Sequence, residues 1–156
     1  MNQYMMRILW MVINMKNGKQ ILAAVLKTTQ MGQVGIRSVL DTTMRPGLRK
    51  ALESQLREYD SIESEAHSIA SQRGLELSEL NPSVRFMADM MTRTKLSYGN
   101  TDSKIAGMMI QGNTRGMITG LKNLHQFNKH DAQISTLSQK LLDCETSNIR
   151  QMQGFL

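Results

Sequence analysis

Cysteine is almost missing: Cys144 stands alone in a chain of 156 residues. No intramolecular disulfide and no thiolate metal cluster can form, which fits a reducing cytoplasm. The residue itself reads as a small buried apolar group rather than a reactive thiol. Proline occurs twice and aromatics make up 4% of the chain, so with few β-branched runs little material is left for strands. The apolar run from Ile8 to Ile13 is far shorter than the roughly 20 residues a membrane span needs, and no membrane association is expected. No stretch carries about five or more like charges, and no basic stretch is interleaved with aromatics. The net charge of +6 therefore describes a solvated, mildly basic surface better than a nucleic-acid footprint. A DNA-coating bundle would need its bases gathered on one face, and here they are scattered.

What is present is a hydrophobic content of 40% with 14 methionines, enough for one domain with a core of its own. The composition predicts an all-α protein. Residues 1–17 form an N-terminal extension and residues 18–156 the helical domain. The extension resembles a signal-peptide core but lacks a small-residue cleavage site. It reads as a disordered arm, a short helix packed on the domain, or an upstream extension of a chain starting at Met15, with secretion behind these.

Four long helices follow from periodicity. In residues 20–40, Ile21, Val25, Gly32, Ile36 and Val39 share one face. Pro46 and Gly47 break the chain and open a second helix to about Arg73, with Leu48, Leu52, Leu56, Tyr59, Ile62, Ala66 and Ile69 as its stripe and Gly74 as its stop. Residues 75–100 form a long connection in which Phe86 to Met91 predict a short helix. The third helix runs from Thr101 or Asp102, either a possible cap, to about Phe127. Residues 128–131 make a tight turn, with Asp131 capping the fourth helix. That helix buries Ile134, Leu137, Leu141, Cys144, Asn148 and Met152. Two hairpins joined by a long crossover predict a ferritin-like four-helix bundle.

The third helix carries Gly112, Gly116 and Gly120 at four-residue spacing, each costing about 1 kcal/mol relative to alanine. Close packing against a neighbouring helix would offset that cost, and Gly32 and Gly35 suit the same role in the first helix. The same helix has no acidic residue between Lys104 and Phe127, and the first has none between Gln20 and Leu40. A ferritin-like di-iron site takes one Glu from each of two helices and a Glu-x-x-His pair from each of the others. Here the second helix offers Glu63-x-x-x-His67, at the wrong spacing, and the fourth Glu145-x-x-Asn148. Two of the four walls supply only amides, so two divalent ions would lack charge compensation. No cofactor is expected. A weak single-metal site from Glu65, His67 and Glu145 is the remaining metal candidate. Gln33, Tyr59, Gln111, Glu145 and Asn148, with Glu58 and Glu65 as further candidates, are expected to form a central hydrogen-bond network in place of metal; the competing reading puts several of them on the solvent face. His125 and His130 read as exposed residues flanking a turn.

The stretches ILAAVLKTTQMG, LRKALESQLREYDSIESEA, KIAGMMIQGNTRGM and LLDCETSNIRQMQGFL resemble those of small ferritin-like bundle proteins of Gram-positive anaerobes, relatives of spore-coat-type proteins. The resemblance covers roughly residues 20–156. In the third helix the family pattern has His where Lys104 stands and Met where Arg115 stands, so any ligand role of that His is lost here. What the resemblance implies is a bundle without a defined activity, cytoplasmic or spore-associated. Taken with the absence of Ser-His-Asp, Cys-His or phosphate-loop motifs, the expectation is a non-enzymatic protein that self-associates, as a dimer first of all, or binds protein partners in a coat or stress-related role. The Met-rich surface would serve such contacts. The alternative is a degenerate or mononuclear metal-binding protein.

Overall fold

The computed structural model describes residues 2–81, 101–127 and 131–156. Among them are five helices and no strand: α1 (Gln3–Asn14), α2 (Gly18–Val39), α3 (Pro46–Gln72), α4 (Thr101–Gln126) and α5 (Ala132–Gln153). The expected short helix at residues 86–91, most of the 128–131 turn and His130 lie outside the described residues.

Helix boundaries follow local chemistry. Asn17 and Gln20 form a reciprocal capping box at the start of α2, with bonds of 2.9 and 3.0 Å that satisfy two otherwise unpaired amides. Pro46 opens α3, where its missing N–H costs nothing. Gly74 ends α3 in the left-handed region, at φ 62°. The Leu75 amide then donates to the Ala70 carbonyl and the Gly74 amide to that of Ser71, a Schellman closure. Asp131 caps α5 through the Ile134 amide, at 3.2 Å. Asp102 is not a cap: it lies inside α4, and its carboxylate accepts from the Arg45 amide and guanidinium at the start of α3.

α2 to α5 pack together, each of the pairs α2–α3, α4–α5, α3–α5 and α2–α4 in contact. The Lys16 amide donates to the Gln126 carbonyl at 2.8 Å, so the start of α2 meets the end of α4. Arg73 pairs with Asp131, so the end of α3 meets the start of α5. Arg45 and Asp102 join the starts of α3 and α4 at the opposite end. The core between these helices contains the stripe read from sequence: Ile21, Val25, Ile36, Val39, Leu48, Leu52, Tyr59, Ile62, Ala66 and Ile69 are buried, as are Ile134, Leu137, Leu141, Cys144 and Met152.

α1 is different. It is helical, capped by Asn2, yet its large apolar side chains from Tyr4 to Ile13 are all at least half exposed.

Candidate functional site

An open cleft of about 390 Å3 lies between α2 and α4. Its walls carry Gly32 and Gly35 on one side and Gly112 and Gly116 on the other, with Met31, Ile36, Met108 and Met109 as apolar lining. The floor is polar: Gln55 and Tyr59 from α3, Asn113 from α4 and Glu145 from α5. Lys27 and Arg115 stand exposed at the mouth.

Behind the floor is a buried network. The Tyr59 hydroxyl donates to Asn113 Oδ1 at 2.9 Å, and Asn148 Nδ2 lies 3.3 Å from that hydroxyl and 3.2 Å from Asn113 Oδ1. Asn113 Nδ2 in turn donates to the Met109 carbonyl at 2.6 Å. The Cys144 thiol sits beside Asn148 and donates to Glu58 Oε2 at 3.2 Å. Burial pushes both the Cys144 thiol and the Tyr59 hydroxyl well above their ordinary values, with Glu58 and Glu145 reinforcing the respective shifts. Cys144 is therefore a thiol, not a nucleophilic thiolate.

Glu145 is 2% exposed. Its carboxyl group lies beneath Gly116, where an added Cβ would stand 2.9 Å from Oε1 and 3.2 Å from Oε2. Oε2 is buried and has no hydrogen-bond partner. Burial raises its pKa to about 8, with the Tyr59 hydroxyl pulling the other way, so the acid is mostly protonated at neutral pH.

Of the expected network, Tyr59, Glu145 and Asn148 come together at the centre. Gln33 is buried but turned away, donating to Asp60 at 2.8 Å beside Arg37. Gln111 is exposed on α4. Asn113 takes the place assigned to it, and periodicity could have found it: residue 113 continues the Ile105, Ala106, Met109 stripe at four- and seven-residue spacing, whereas residue 111 falls on the far side. Gln55, also buried, donates to Gln151 Oε1 at 2.7 Å, and its spacing of three from Leu52 and four from Tyr59 puts it on the same face.

The glycines divide as well. Gly116 makes room for Glu145, and Gly120 faces Leu142 at an ordinary 3.7 Å. Gly112 is exposed and has open space around it, so it is not a helix-packing glycine. Four-residue spacing drifts by about 40° per step around a helix, enough to carry one member of the series out of the interface.

The suggested metal ligands do not converge. Glu65 pairs with Lys140 on the surface, and Glu145 is the only acid among the cleft residues. His67 lies 3.7 Å from Glu63 and 3.9 Å from Glu79. Those three, not the predicted set, hold ligand atoms within 4.8 Å of one another.

No protein-family model matches the chain, and no curated protein matches it in sequence. The fold is similar to that of the DUF305 fragment from Deinococcus radiodurans, known from a crystal structure. The match has a TM-score of 0.69 at 14% identity and covers 88% of this chain and 93% of the other. Identity this low concerns the fold alone. That neighbour belongs to a different family from the ferritin-like, spore-coat-type proteins of Gram-positive anaerobes, which overturns the resemblance to them. The stretches behind it encode general helix-packing periodicity: in MMIQG, Gln111 and Gly112 are both exposed, so the motif marks no shared centre. No described helix is long and apolar enough to cross a membrane.

Proposed function

We propose that the chain is a non-enzymatic helical bundle of ferritin-like connectivity, without a di-metal site, that pairs with a second copy of itself through α1. The observation that carries this reading is the exposure of α1. At about 100° per residue its apolar side chains span about 260° of the helix circumference, leaving only a narrow stripe around Gln3 and Arg7. A lipid surface covers roughly one face of a helix lying on it. A protein partner can wrap most of the circumference, and a second copy supplies an equally apolar α1.

Support for the connectivity comes from the two short links, residues 40–45 and 127–131, and from the Arg45–Asp102 pair, which sets the starts of α3 and α4 at one end. Support for a lost di-metal site comes from the floor of the cleft, where amides outnumber the single carboxylate. The inert Cys144 thiol adds to the non-enzymatic reading.

Sedimentation equilibrium tests the proposal: the full chain is a dimer, and a chain beginning at Met15 is a folded monomer. A full chain that stays monomeric at high concentration, or a truncated chain that still pairs, overturns it. The second reading, single-metal binding, is favoured by the Glu63–His67–Glu79 cluster. Titration with Zn(II) or Mn(II) decides it, because His67→Ala must abolish stoichiometric uptake.

A further inference from the structure

The cleft between α2 and α4 holds two residues with a buried oxygen that has no hydrogen-bond partner: Glu145 Oε2 and Gln55 Oε1. Both residues line the same floor. Buried oxygens left unpaired are costly, so a ligand bringing donors gains there. The cleft volume falls within the range of about 300–1,000 Å3 occupied by small-molecule sites.

The surroundings narrow the chemistry. Above the floor the walls are methionine, isoleucine and backbone exposed by glycine, suited to an unbranched apolar body. At the mouth, Lys27 and Arg115 have no ion-pair partner among the described residues, so an acidic group is welcome there and a second cation is not.

We propose that this cleft binds an elongated amino acid-like molecule: a primary ammonium head on Glu145 and Gln55, a linear apolar body between the glycine-bearing walls, and a carboxylate or other anion beside Lys27 and Arg115. An ammonium head offers three donors and matches the two open acceptors, where a hydroxyl offers only one. The site is separate from α1, so it stands or falls independently of pairing.

Binding carries a proton signature. Empty, Glu145 is held largely as the neutral acid by burial. When a cationic head enters, the carboxyl gives its proton to solvent and the carboxylate pairs with the ammonium. The charged or titratable groups around it are Tyr59 on α3, Cys144 on its own helix with Glu58 behind, and Lys27 and Arg115 at the mouth. Burial brings the Glu145 carboxyl to about 8, close to neutral pH.

The test uses the full chain carrying 13C-methyl methionine, titrated with 6-aminohexanoate, hexylamine, hexanoate and hexanol. The methyl resonances of Met31, Met108 and Met109 move with the two amines, 6-aminohexanoate being the tighter, and not with hexanoate or hexanol. Calorimetry of the 6-aminohexanoate complex in buffers of different ionisation heat shows release of up to about one proton. Glu145→Gln removes the proton release and weakens binding by about tenfold or more. Gly112→Leu places a side chain into open space in the cleft without a clash at Cβ, so it abolishes binding while the helical signal is retained. Amines that leave these methyls unmoved, hexanol binding as well as hexylamine, or binding that survives Gly112→Leu overturns the assignment. Equal affinity for hexylamine and 6-aminohexanoate overturns the role of the mouth.

Discussion

The ring of Tyr59 lies directly against the backbone of α2 at Gly32, where an added Cβ would stand 2.5 Å from Cζ. That contact presses the phenol toward Asn113 and Asn148 and sets the height of the polar floor. A methyl group cannot be accommodated by a small adjustment, because the neighbour is a rigid ring, buried at 2% exposure.

Gly32→Ala therefore destabilises the protein. Overpacking of this kind costs about 1–3 kcal/mol, which exceeds the ~1 kcal/mol that alanine gains over glycine in a helix. Gly107→Ala is the control: nothing lies within 4 Å of its added Cβ, so it stabilises by up to about 1 kcal/mol. Urea denaturation of the two variants shows shifts of opposite sign. A stabilised Gly32→Ala would mean that Tyr59 does not pack there.

Glu145 makes stability fall with rising pH. Its folded pKa, about 8, lies above the ordinary 4.5, so between these values the native state holds a proton that the unfolded chain has released. The contribution is fully present below about pH 4.5 and is lost as pH rises through 8. Its size is on the order of a few kcal/mol. Glu145→Gln, an amide that stands in for the neutral acid, removes this slope and gives a protein more stable than the parent above pH 8. The difference between parent and variant across pH 5–9 isolates the effect from other carboxylates, and a flat difference would contradict it.

Asp131 behaves in the opposite sense. The Arg73 guanidinium holds its carboxyl down to about 2, from 3.8. Its stabilisation is present above pH 3.8 and is lost as the pH falls toward 2. Asp131→Ala also removes the α5 cap, a loss of about 1 kcal/mol at neutral pH. Thermal unfolding at pH 7 and pH 2.5 checks both: the gap between parent and variant narrows in acid.

How far the sequence was legible varies by helix. In α2, α3 and α5 the buried stripes were readable because apolar residues recur at three- and four-residue spacing. α4 was harder. Its stripe continues through small and amide residues, Ala106, Asn113 and Asn123, so hydrophobicity fades along it and the spacing that turns Asn113 inward is faint. The cleft was not visible, since an open gap depends on side chains that are absent. Gly32 looked like Gly112, yet one meets a tyrosine ring and the other meets nothing. The missing carboxylates were plain, but where Glu65 would point was not; its surface pairing with Lys140 depends on the rotation of α3 against α5.

The Tyr59 ring in its glycine slot also acts as a detent. Moving α2 along α3 by four residues either way would bring Thr28 or Ile36 under the ring, and neither has room for it. The contact thus opposes lengthwise sliding within this hairpin. Breathing that admits a guest comes from α2 and α4 spreading apart beyond the Lys16–Gln126 hydrogen bond, along a seam where, among the described residues, no ring sits in a glycine slot.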